Sequence, residues 1–219
     1  MSKKYKKPWP TKAVMEQIYD QHLWGGHDFD FYSGEGSHKP EIIKPYLERV
    51  ISFLKTHHAA LEVCDLGCGD FNIGKQLTPY TKKYIAIDIV EDLIERNKKL
   101  YHEVHLEFHC LDISKDKLPA ADCIILRQVL QHLSNAEILD ITKKLEDYKY
   151  VILTEHLPND DFTPNLDIIS GQGIRHKHNS GVNLLKSPFH LKVKNQSVLH
   201  EHILPNENGC IKTILYTTY

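Results

Sequence analysis

Residues 61–74, LEVCDLGCGDFNIG, constrain the fold of this 219-residue chain more than any other stretch. They open with a short apolar run that predicts a buried strand, and Gly67 and Gly69 follow at once. A strand, a glycine turn and a helix form the geometry in which backbone N–H groups approach a ligand closely. Glycine has no Cβ, so the turn can be tight and a ligand can lie against bare backbone. The stretch therefore predicts a ligand-binding turn in an open α/β sheet.

The residue at the third glycine position separates the two kinds of cofactor that such a turn binds. The dinucleotide fingerprint G-x-G-x-x-G requires glycine there, and this chain has Asn72, which argues against a nicotinamide dehydrogenase. An acid, Asp65, stands two residues before the first glycine. The motif DLGCGD resembles the first motif of the class I S-adenosylmethionine (SAM) methyltransferases. The resemblance implies that Asp65, Gly67, Cys68 and Gly69 hold the methionine part of SAM, with the acid bonding its amino group directly or through water.

Two later strand ends carry acids at positions that fit the same cofactor. Asp88 closes the predicted strand YIAIDI, at about the distance from the turn at which a ribose-binding acid is expected. Asp112 follows the predicted third strand, and in the family that the chain resembles an acid there bonds the adenine amino group. Ile89 and Ile113 complete the predicted cofactor-binding set. The alternatives are a helix-capping role for Asp88 and a plain loop position for Asp112.

The pattern along the chain predicts one domain, because 219 residues suit one well-buried core and are short for two. We expect an α/β fold with a seven-stranded, mostly parallel, doubly wound (Rossmann-like) sheet, an antiparallel terminal β-hairpin and N-terminal helices. Residues 1–58 are expected to form helices and a lid loop packed on the core. Residues 59–219 are expected to form the SAM-binding domain, with an acceptor-binding insertion around residues 157–187. The predicted helices span residues 11–22, 37–58, 73–77, 91–101 and 136–145, and the predicted strands span residues 61–66, 84–89, 105–110, 121–126, 150–154, 197–204 and 210–217.

Polar residues after the fourth and fifth strands predict where methyl donor and acceptor meet, because ligands lie beyond the carboxyl ends of the strands in such a sheet. Methylation of a hydroxyl needs a base, and histidine suits that task. His156 is favoured over His132, because Glu155 beside it could orient or charge the ring. Arg127 is predicted to act in both catalysis and cofactor binding. A helix-cap or packing role is the alternative for either histidine.

The acceptor is predicted to contact residues from three separate segments. The aromatic and glycine-rich loop of residues 24–38 is either a lid over the cofactor or a surface loop pinned by Trp24 and Phe31. The long loop of residues 157–187 carries apolar residues that argue against disorder, and a loop of that length usually has a function. The predicted acceptor-binding residues are Trp24, Ser37, Gln128, Gln131, Arg175 and His176.

Five segments extend the resemblance from about Trp24 to the end: WGG…SGEGS, DLGCGDF, LRQVLQHLSN, TEH…NLDI and SGVNLLKSPFHL. Together they look like a bacterial methyltransferase group whose members often lie beside sugar and polysaccharide genes. This implies an O-methyltransferase acting on a sugar, a sugar nucleotide or a similar polar molecule. Relatives tend to have an acid where this chain has Gln128, which leaves open a non-catalytic SAM-binding partner. An N- or carboxyl-methyltransferase also stays open.

Composition narrows the remaining classes. A formal net charge of -2 does not indicate a nucleic-acid-binding surface. No apolar run reaches the ~18 residues of a membrane span. The basic start MSKKYKKPWP lacks the apolar core of a signal peptide and is expected to be a frayed tail. Five cysteines without a CxxC pair indicate reduced thiols in a cytoplasmic protein. A homo-oligomer is compatible with the sequence.

No spacing in the chain is a metal signature, so we predict no metal site. A divalent metal remains an alternative way to acidify a sugar hydroxyl. Its candidate ligands follow the fifth strand and are Glu155, His156, Asp160, Asp161 and Asp167.

Overall fold

The computed structural model describes residues 8–159, 161–204 and 209–219. Most of the predicted N-terminal tail, the hairpin turn at residues 205–208 and Asp160 lie outside the described residues. Within the described ranges, five α-helices and seven strands follow one another in the predicted order. The helices are α1 (Thr11–Asp20), α2 (Pro40–Thr56), α3 (Gly74–Leu77), α4 (Glu91–Leu100) and α5 (Asn135–Leu145). The strands are β1 (Glu62–Leu66), β2 (Lys83–Asp88), β3 (Leu106–Cys110), β4 (Cys123–Arg127), β5 (Tyr150–Pro158), β6 (Asn195–Leu204) and β7 (Gly209–Thr217).

The seven strands of the described residues form one sheet in the order β3-β2-β1-β4-β5-β7-β6. Strands β1 to β5 are parallel, and β7 runs antiparallel to both β5 and β6. This confirms the predicted seven-stranded, mostly parallel Rossmann-like sheet with its terminal hairpin. The strand order reverses between β1 and β4, and ligands bind at such a switch point beyond the carboxyl ends of the strands.

Two apolar cores sandwich the sheet, which explains why the central strands read as continuous apolar runs. One core contains Leu66 of β1 and Ile138 and Ile141 of α5. The other contains Val50 and Leu54 of α2. Because both faces of β1 and β4 are covered, these strands are held in place, and their ends position the residues that follow them.

Strand β5 is longer than predicted, and this changes the placement of two candidate residues. The sequence predicts a strand over residues 150–154 with Glu155 and His156 emerging from its end, and this is wrong. Strand β7 pairs with β5 as far as Pro158, so both residues lie within the strand. Successive side chains of a strand point to opposite faces, so Glu155 and His156 face opposite sides of the sheet.

Several predicted helix ends shift by a few residues. Helix α2 begins at Pro40, where proline is tolerated, and Ser37 instead lies in a 3₁₀ turn, Glu35–Ser37. Helix α5 begins after Ser134, whose side chain forms a capping box with Glu137. The predicted loop after β5 contains one short 3₁₀ turn, Arg175–His178, within the residues described there.

The long loop after β5 is held together by the side chain of Asn165. Its amide donates to the carbonyls of Asn183 and Ser187, both at 2.9 Å, and its Oδ1 accepts the Asn183 N–H at 2.8 Å. Asn165 is 6% exposed. One buried amide thus gathers three points of a loop that has little regular structure of its own.

Candidate functional site

Two glycines form the turn after β1 that the sequence singles out. Gly67 and Gly69 have φ angles of 79° and 56°, a region that side-chain-bearing residues rarely adopt. A Cβ on Gly67 would lie 2.5 Å from the Val129 side chain, and one on Gly69 would lie 2.2 Å from Ser33 Oγ. Cys68 between them is half-buried and lines the same cavity as the glycines. Both the backbone shape and the available space therefore require glycine.

Asp88, at the tip of β2, is tied to the glycine turn. Its Oδ2 accepts the Gly69 N–H and its Oδ1 accepts the Val90 N–H, both at 3.1 Å. Burial raises the pKa of Asp88, and these N–H bonds partly offset that shift. Each carboxylate oxygen has two acceptor positions, so Asp88 retains acceptor capacity toward the cavity that it lines.

Asp65, at the penultimate position of β1, is a buried carboxyl group with one strong protein partner. It is 6% exposed and accepts a hydrogen bond of 2.9 Å from the Tyr84 hydroxyl. Burial raises the pKa of Asp65 to about 7. A cationic ligand group in the cavity beside it would favour the ionised form, so the site suits an ammonium.

Asp112, after β3, is engaged in its own turn. Its Oδ1 accepts the Ser114 N–H at 3.0 Å and the Ser114 hydroxyl at 2.6 Å, and its Oδ2 accepts from Lys115 at 2.5 Å. Burial acts to raise the pKa of Asp112, but these hydrogen bonds lower it below its usual range. Ile89 and Ile113 line the cavity beside it, which gives this end an apolar wall suited to a flat base.

A single cavity of about 440 Å³ joins these groups to the tip of β4. Its volume lies in the range of ~300–1,000 Å³ that is typical of small-molecule sites. It receives residues from the glycine turn, helix α1, the loop before α2, the β4 tip and the long loop after β5. The predicted site residues that line it are Trp24, Ser37, Asp65, Gly67, Cys68, Gly69, Asp88, Ile89, Asp112, Ile113, Arg127, Gln128, Gln131 and His132.

The loop of residues 24–38 lies directly on the glycine turn. The Ser33 N–H donates to Asp70 Oδ2, and the Asp70 N–H donates to Ser33 Oγ, both at 2.8 Å. His38 Nε2 lies 2.6 Å from the same carboxylate. The Asn72 amide donates to the Ser37 carbonyl at 2.7 Å. The residue that breaks the dinucleotide fingerprint therefore anchors this loop over the turn.

Arg127 joins the same loop to the tip of β4. Its guanidinium donates to the Gly36 carbonyl at 2.5 Å, to Ser37 Oγ at 3.0 Å and to Gln128 Oε1 at 3.2 Å. It lies 4.8 Å above the ring of Tyr46 and is 9% exposed. Burial lowers its pKa. Gln128 itself has a φ of 57°, so the chain turns sharply where β4 meets the cavity.

His132 presents one ring nitrogen that can act as an acceptor. Its Nδ1 lies 3.1 Å from the Gly171 carbonyl oxygen, which only accepts, so Nδ1 carries the proton and Nε2 a lone pair. The Gln131 Oε1 accepts the His156 backbone N–H at 3.0 Å, which points the Gln131 amide nitrogen at His132 Nε2, 3.2 Å away. Burial lowers the pKa of His132 to about 4. The ring is therefore neutral at physiological pH. The Trp24 ring lies 5.1 Å from it, centroid to centroid.

Three predicted site residues lie elsewhere. His156 does not line the cavity, and its ring stacks on His176 with 4.4 Å between centroids. Strand β5 continues past Thr154, which turns the His156 ring away from the β4 tip. Arg175 is 1% exposed and donates to backbone carbonyls. The geometry thus separates the two candidate histidines and leaves His132 at the cavity.

Sequence reasoning missed the contribution of α1 and of the tip of the long loop. Met15 and Tyr19 line the cavity from α1, and Gln172 and Lys177 line it from the long loop. The Gln172 amide also donates to the Leu23 carbonyl at 2.7 Å, which joins these two distant segments. The spacing of apolar residues in α1 predicts that the helix packs on the core. It does not indicate that the helix lines the cavity.

The described residues contain no group of three or more His, Cys, Asp or Glu side chains arranged to hold a metal ion. The candidate ligands have other contacts: Glu155 accepts the Gln131 N–H at 2.9 Å, and Asp167 accepts the Asn135 N–H at 2.8 Å. Among the helices in the described part of the chain, none has both the length and the apolar character that a membrane span requires.

Residues 63–148 match the family model described as "Methyltransferase domain". This segment runs from β1 to the end of α5 and includes the glycine turn, the three acids and the β4 tip. No curated protein sequence matches the chain.

Three solved structures are examples of the same fold. The N-methyltransferase NodS from Bradyrhizobium japonicum WM9, in complex with S-adenosylhomocysteine (SAH), aligns with a TM-score of 0.66 at 12% identity, covering 94% of this chain and 100% of that one. Magnesium protoporphyrin IX methyltransferase from Synechocystis PCC 6803, with bound SAM, aligns with a TM-score of 0.58 at 13% identity, covering 98% and 100%. The N-terminal domain of EvdMO1, in the presence of SAH and D-fucose, aligns with a TM-score of 0.57 at 13% identity, covering 94% and 97%.

Proposed function

We propose that this chain, a SAM-dependent methyltransferase by its domain match and its fold, methylates a hydroxyl group of a small polar acceptor of the sugar type. The observation that carries the proposal is His132: a neutral imidazole on the cavity wall with Nδ1 protonated by its bond to Gly171. Its Nε2 can take the proton that a hydroxyl loses when it is methylated.

The cofactor-binding residues follow from the three strand tips. Asp65 pairs with the ammonium of the methionine part. Burial raises the pKa of this carboxyl group, and a cationic ligand group beside it would favour the ionised form. Asp88 accepts hydrogen bonds from the ribose hydroxyls. Ile89 and Ile113 enclose the adenine, whose amino group donates to Asp112. Arg127 and Ser37 close the methionine end of the cavity.

The reaction is a displacement at the methyl carbon of the sulfonium. The bond from sulfur to methyl breaks as the bond from the acceptor oxygen to methyl forms, and the sulfur keeps the electron pair. The hydroxyl proton passes to His132 Nε2 once the acceptor hydroxyl displaces the Gln131 amide from that nitrogen. Much of the acceleration comes from alignment of donor and acceptor, worth up to ~7–11 kcal/mol in favourable cases.

A base with a pKa of about 4 is sufficient for this step. As the acceptor oxygen takes the methyl group it gains positive charge, and its proton becomes far more acidic than that of the free hydroxyl. The transfer to His132 then runs downhill late in the reaction. A lowered pKa also keeps the imidazole neutral at the working pH, so its lone pair is always available.

The sugar-type acceptor is supported by the polar wall around His132. Gln128, Gln131 and Gln172 present amides to the cavity, and Trp24 presents an aromatic face. Amides both donate and accept, which suits a molecule with several hydroxyls. Lys177 lies at the same end and supplies a charge for a phosphate of a sugar nucleotide. EvdMO1, which shares the fold, was crystallised in the presence of D-fucose.

The test is methyl transfer from labelled SAM to a panel of free sugars, nucleotide sugars, amines and carboxylic acids, with the product bond identified by NMR. A methyl ether on a sugar or nucleotide sugar is the expected product. An N-methyl group or a methyl ester as the main product would overturn the acceptor class. SAH binding without transfer to any component of a cellular extract would favour the non-catalytic alternative.

A further inference from the structure

The turn that carries Gln131 and His132 is short, and its orientation depends on what holds its backbone. It is the 3₁₀ turn Leu130–His132, and a turn of one 3₁₀ repeat satisfies few of its own N–H and C=O groups. The free groups at both of its ends are nevertheless satisfied, by two buried side chains of opposite charge.

Glu155 holds the amino side of the turn. Its Oε1 accepts the Leu130 N–H at 3.1 Å, and its Oε2 accepts the Gln131 N–H at 2.9 Å. The side chain is 2% exposed. Because β5 is extended through this position, Glu155 points at the turn while its neighbour His156 contributes its backbone N–H to the Gln131 amide.

Arg175 holds the carboxyl side of the turn. One guanidinium nitrogen donates to the Leu130 carbonyl at 3.1 Å, and the other donates to the Leu133 carbonyl at 2.7 Å and to Asn135 Oδ1 at 2.8 Å. Its Nε donates to the Leu166 carbonyl at 2.8 Å within the long loop. Only the planar fork of arginine reaches so many acceptors at once.

The two charges act on each other across the turn. Burial raises the pKa of Glu155, and the Gln131 and Leu130 N–H donors and the charge of Arg175 oppose that rise by favouring the carboxylate. Burial lowers the pKa of Arg175, and the carboxylate of Glu155 opposes that fall. Neither side chain lines the cavity. Burial of two ionisable groups is costly, and here each charge satisfies backbone groups of the same three-residue turn.

We propose that Glu155 and Arg175 are positioning residues for the reaction, which fix His132 and Gln131 at the cavity by holding their turn from its two sides. This inference rests on the proposed role of His132. Arg175 belongs to the long loop, and the Gly171 carbonyl that orients His132 comes from the same loop. Order in that loop and orientation of the base are therefore set together.

The first experiment follows the His132 imidazole in ¹⁵N-histidine-labelled protein with SAH, using H132Q to assign its signals. In the wild type, the ring is expected to stay neutral, with Nδ1 protonated, from about pH 5.5 to 8. It should titrate only below that interval, which contains the ordinary histidine pKa. R175K retains the charge but not the planar fork. E155Q retains the shape, but its amide NH2 group faces one of the two backbone N–H groups and leaves that group without an acceptor. In both variants, His132 is expected to populate both neutral tautomers, or its pKa is expected to rise by about one unit or more toward the ordinary histidine value.

V151A is the matched control, because Val151 is fully buried in the same strand, four residues before Glu155, and carries no polar side-chain group that could bond to the turn. It is expected to lower the Tm while leaving the His132 signals unchanged. If R175K unfolds, E155Q still decides. His132 signals that match those of V151A in both variants would overturn the inference. R175M removes the charge. If the His132 signals shifted in R175M but not in R175K, Arg175 would act through its charge alone, and this would also overturn the inference.

Kinetics distinguish a failure of this inference from a failure of the proposed function. In R175K and E155Q, kcat is expected to fall at least tenfold while KM for SAM changes less than threefold. If H132A keeps full turnover, the proposed base is wrong even where the NMR result holds. If H132A is inactive while R175K and E155Q match the wild type, the base is right and the positioning role is wrong.

Discussion

The two ends of the cavity are built in different ways. At the donor end, Asp65, Asp88 and Asp112 stand at or just after consecutive strand tips, and their partners lie within a few residues or on the neighbouring strand. At the acceptor end, the turn with His132 is held by Glu155, from 23 positions further on, and by Arg175 of the long loop. The proposed donor end is thus built from the tips of neighbouring parallel strands, whereas the proposed acceptor end also depends on the long loop. Changes in the long loop can alter acceptor geometry while the donor site stays constant.

The largest expected effect is a loss of turnover without a loss of SAH binding, and it concerns the acceptor end. We expect H132A to lower kcat by about 10²–10⁴-fold, the usual contribution of a general base, with an unchanged Kd for SAH in calorimetry. H156A is the direct contrast, because its ring lies outside the cavity against His176, and it should retain most of the turnover. Full activity of H132A with loss in H156A would return the role of base to His156.

A substitution at the donor end should have the opposite signature. We expect D88A to weaken SAH binding by about 10- to 100-fold, because charge-assisted hydrogen bonds contribute ~1.5–3 kcal/mol. The matched control is D92A, four residues further on in the first turn of α4 and exposed to solvent. Calorimetry of both variants decides, and equal affinities for SAH would contradict the ribose-binding role of Asp88.

The donor end should also bind its ligand in a pH-dependent way. Burial raises the pKa of Asp65 to about 7, so below that pH the carboxyl group is protonated in the free protein. A ligand ammonium favours the ionised form, so binding releases a proton there and affinity falls by up to about tenfold per pH unit as the pH drops further below 7. Calorimetry in buffers of different ionisation heat measures that proton release. A flat affinity profile from about pH 5.5 to 7.5, or one unchanged in D65N, would contradict the pairing.

The smallest expected effect tests how the loop over the donor end is anchored. N72G restores the third glycine of the dinucleotide fingerprint but removes the bond from Asn72 to the Ser37 carbonyl. Loss of one neutral hydrogen bond corresponds to about a 2- to 10-fold weaker affinity for SAH. NADH should not bind to the variant. If N72G gained NADH binding, this single position would decide the cofactor, and the three acids would not.

The residues that the sequence proposed for the donor end all line one cavity, and their role in binding SAM stays a prediction. A glycine turn requires φ > 0, and an acid at a strand tip stands where the ligand must lie, so local pattern and position were enough for Gly67, Gly69 and Asp88. The pattern of strands and helices, together with the resemblance, also predicted a seven-stranded, mostly parallel sheet with an antiparallel terminal hairpin, which the structure has. The pattern that indicates each of these features is local, although the contacts that hold Asp88 to Gly69 join residues 19 positions apart.

The acceptor end was predicted less well because strand ends depend on partners that are distant in sequence. β5 continues past Thr154 because β7 pairs with it, and this register turns His156 away and Glu155 toward the turn. Arg175 was predicted to contact the acceptor, because it lies in the long loop that was interpreted as the acceptor-binding insertion. It is instead buried under the backbone that it holds, which no local pattern indicates.

Calorimetry of the purified protein with SAH and with NADH tests the central claim most directly, because the glycine turn admits either kind of cofactor until its partners are considered. SAH is expected to bind saturably at one site, and NADH is expected to give no heat. Binding of NADH together with no heat for SAH would contradict that claim.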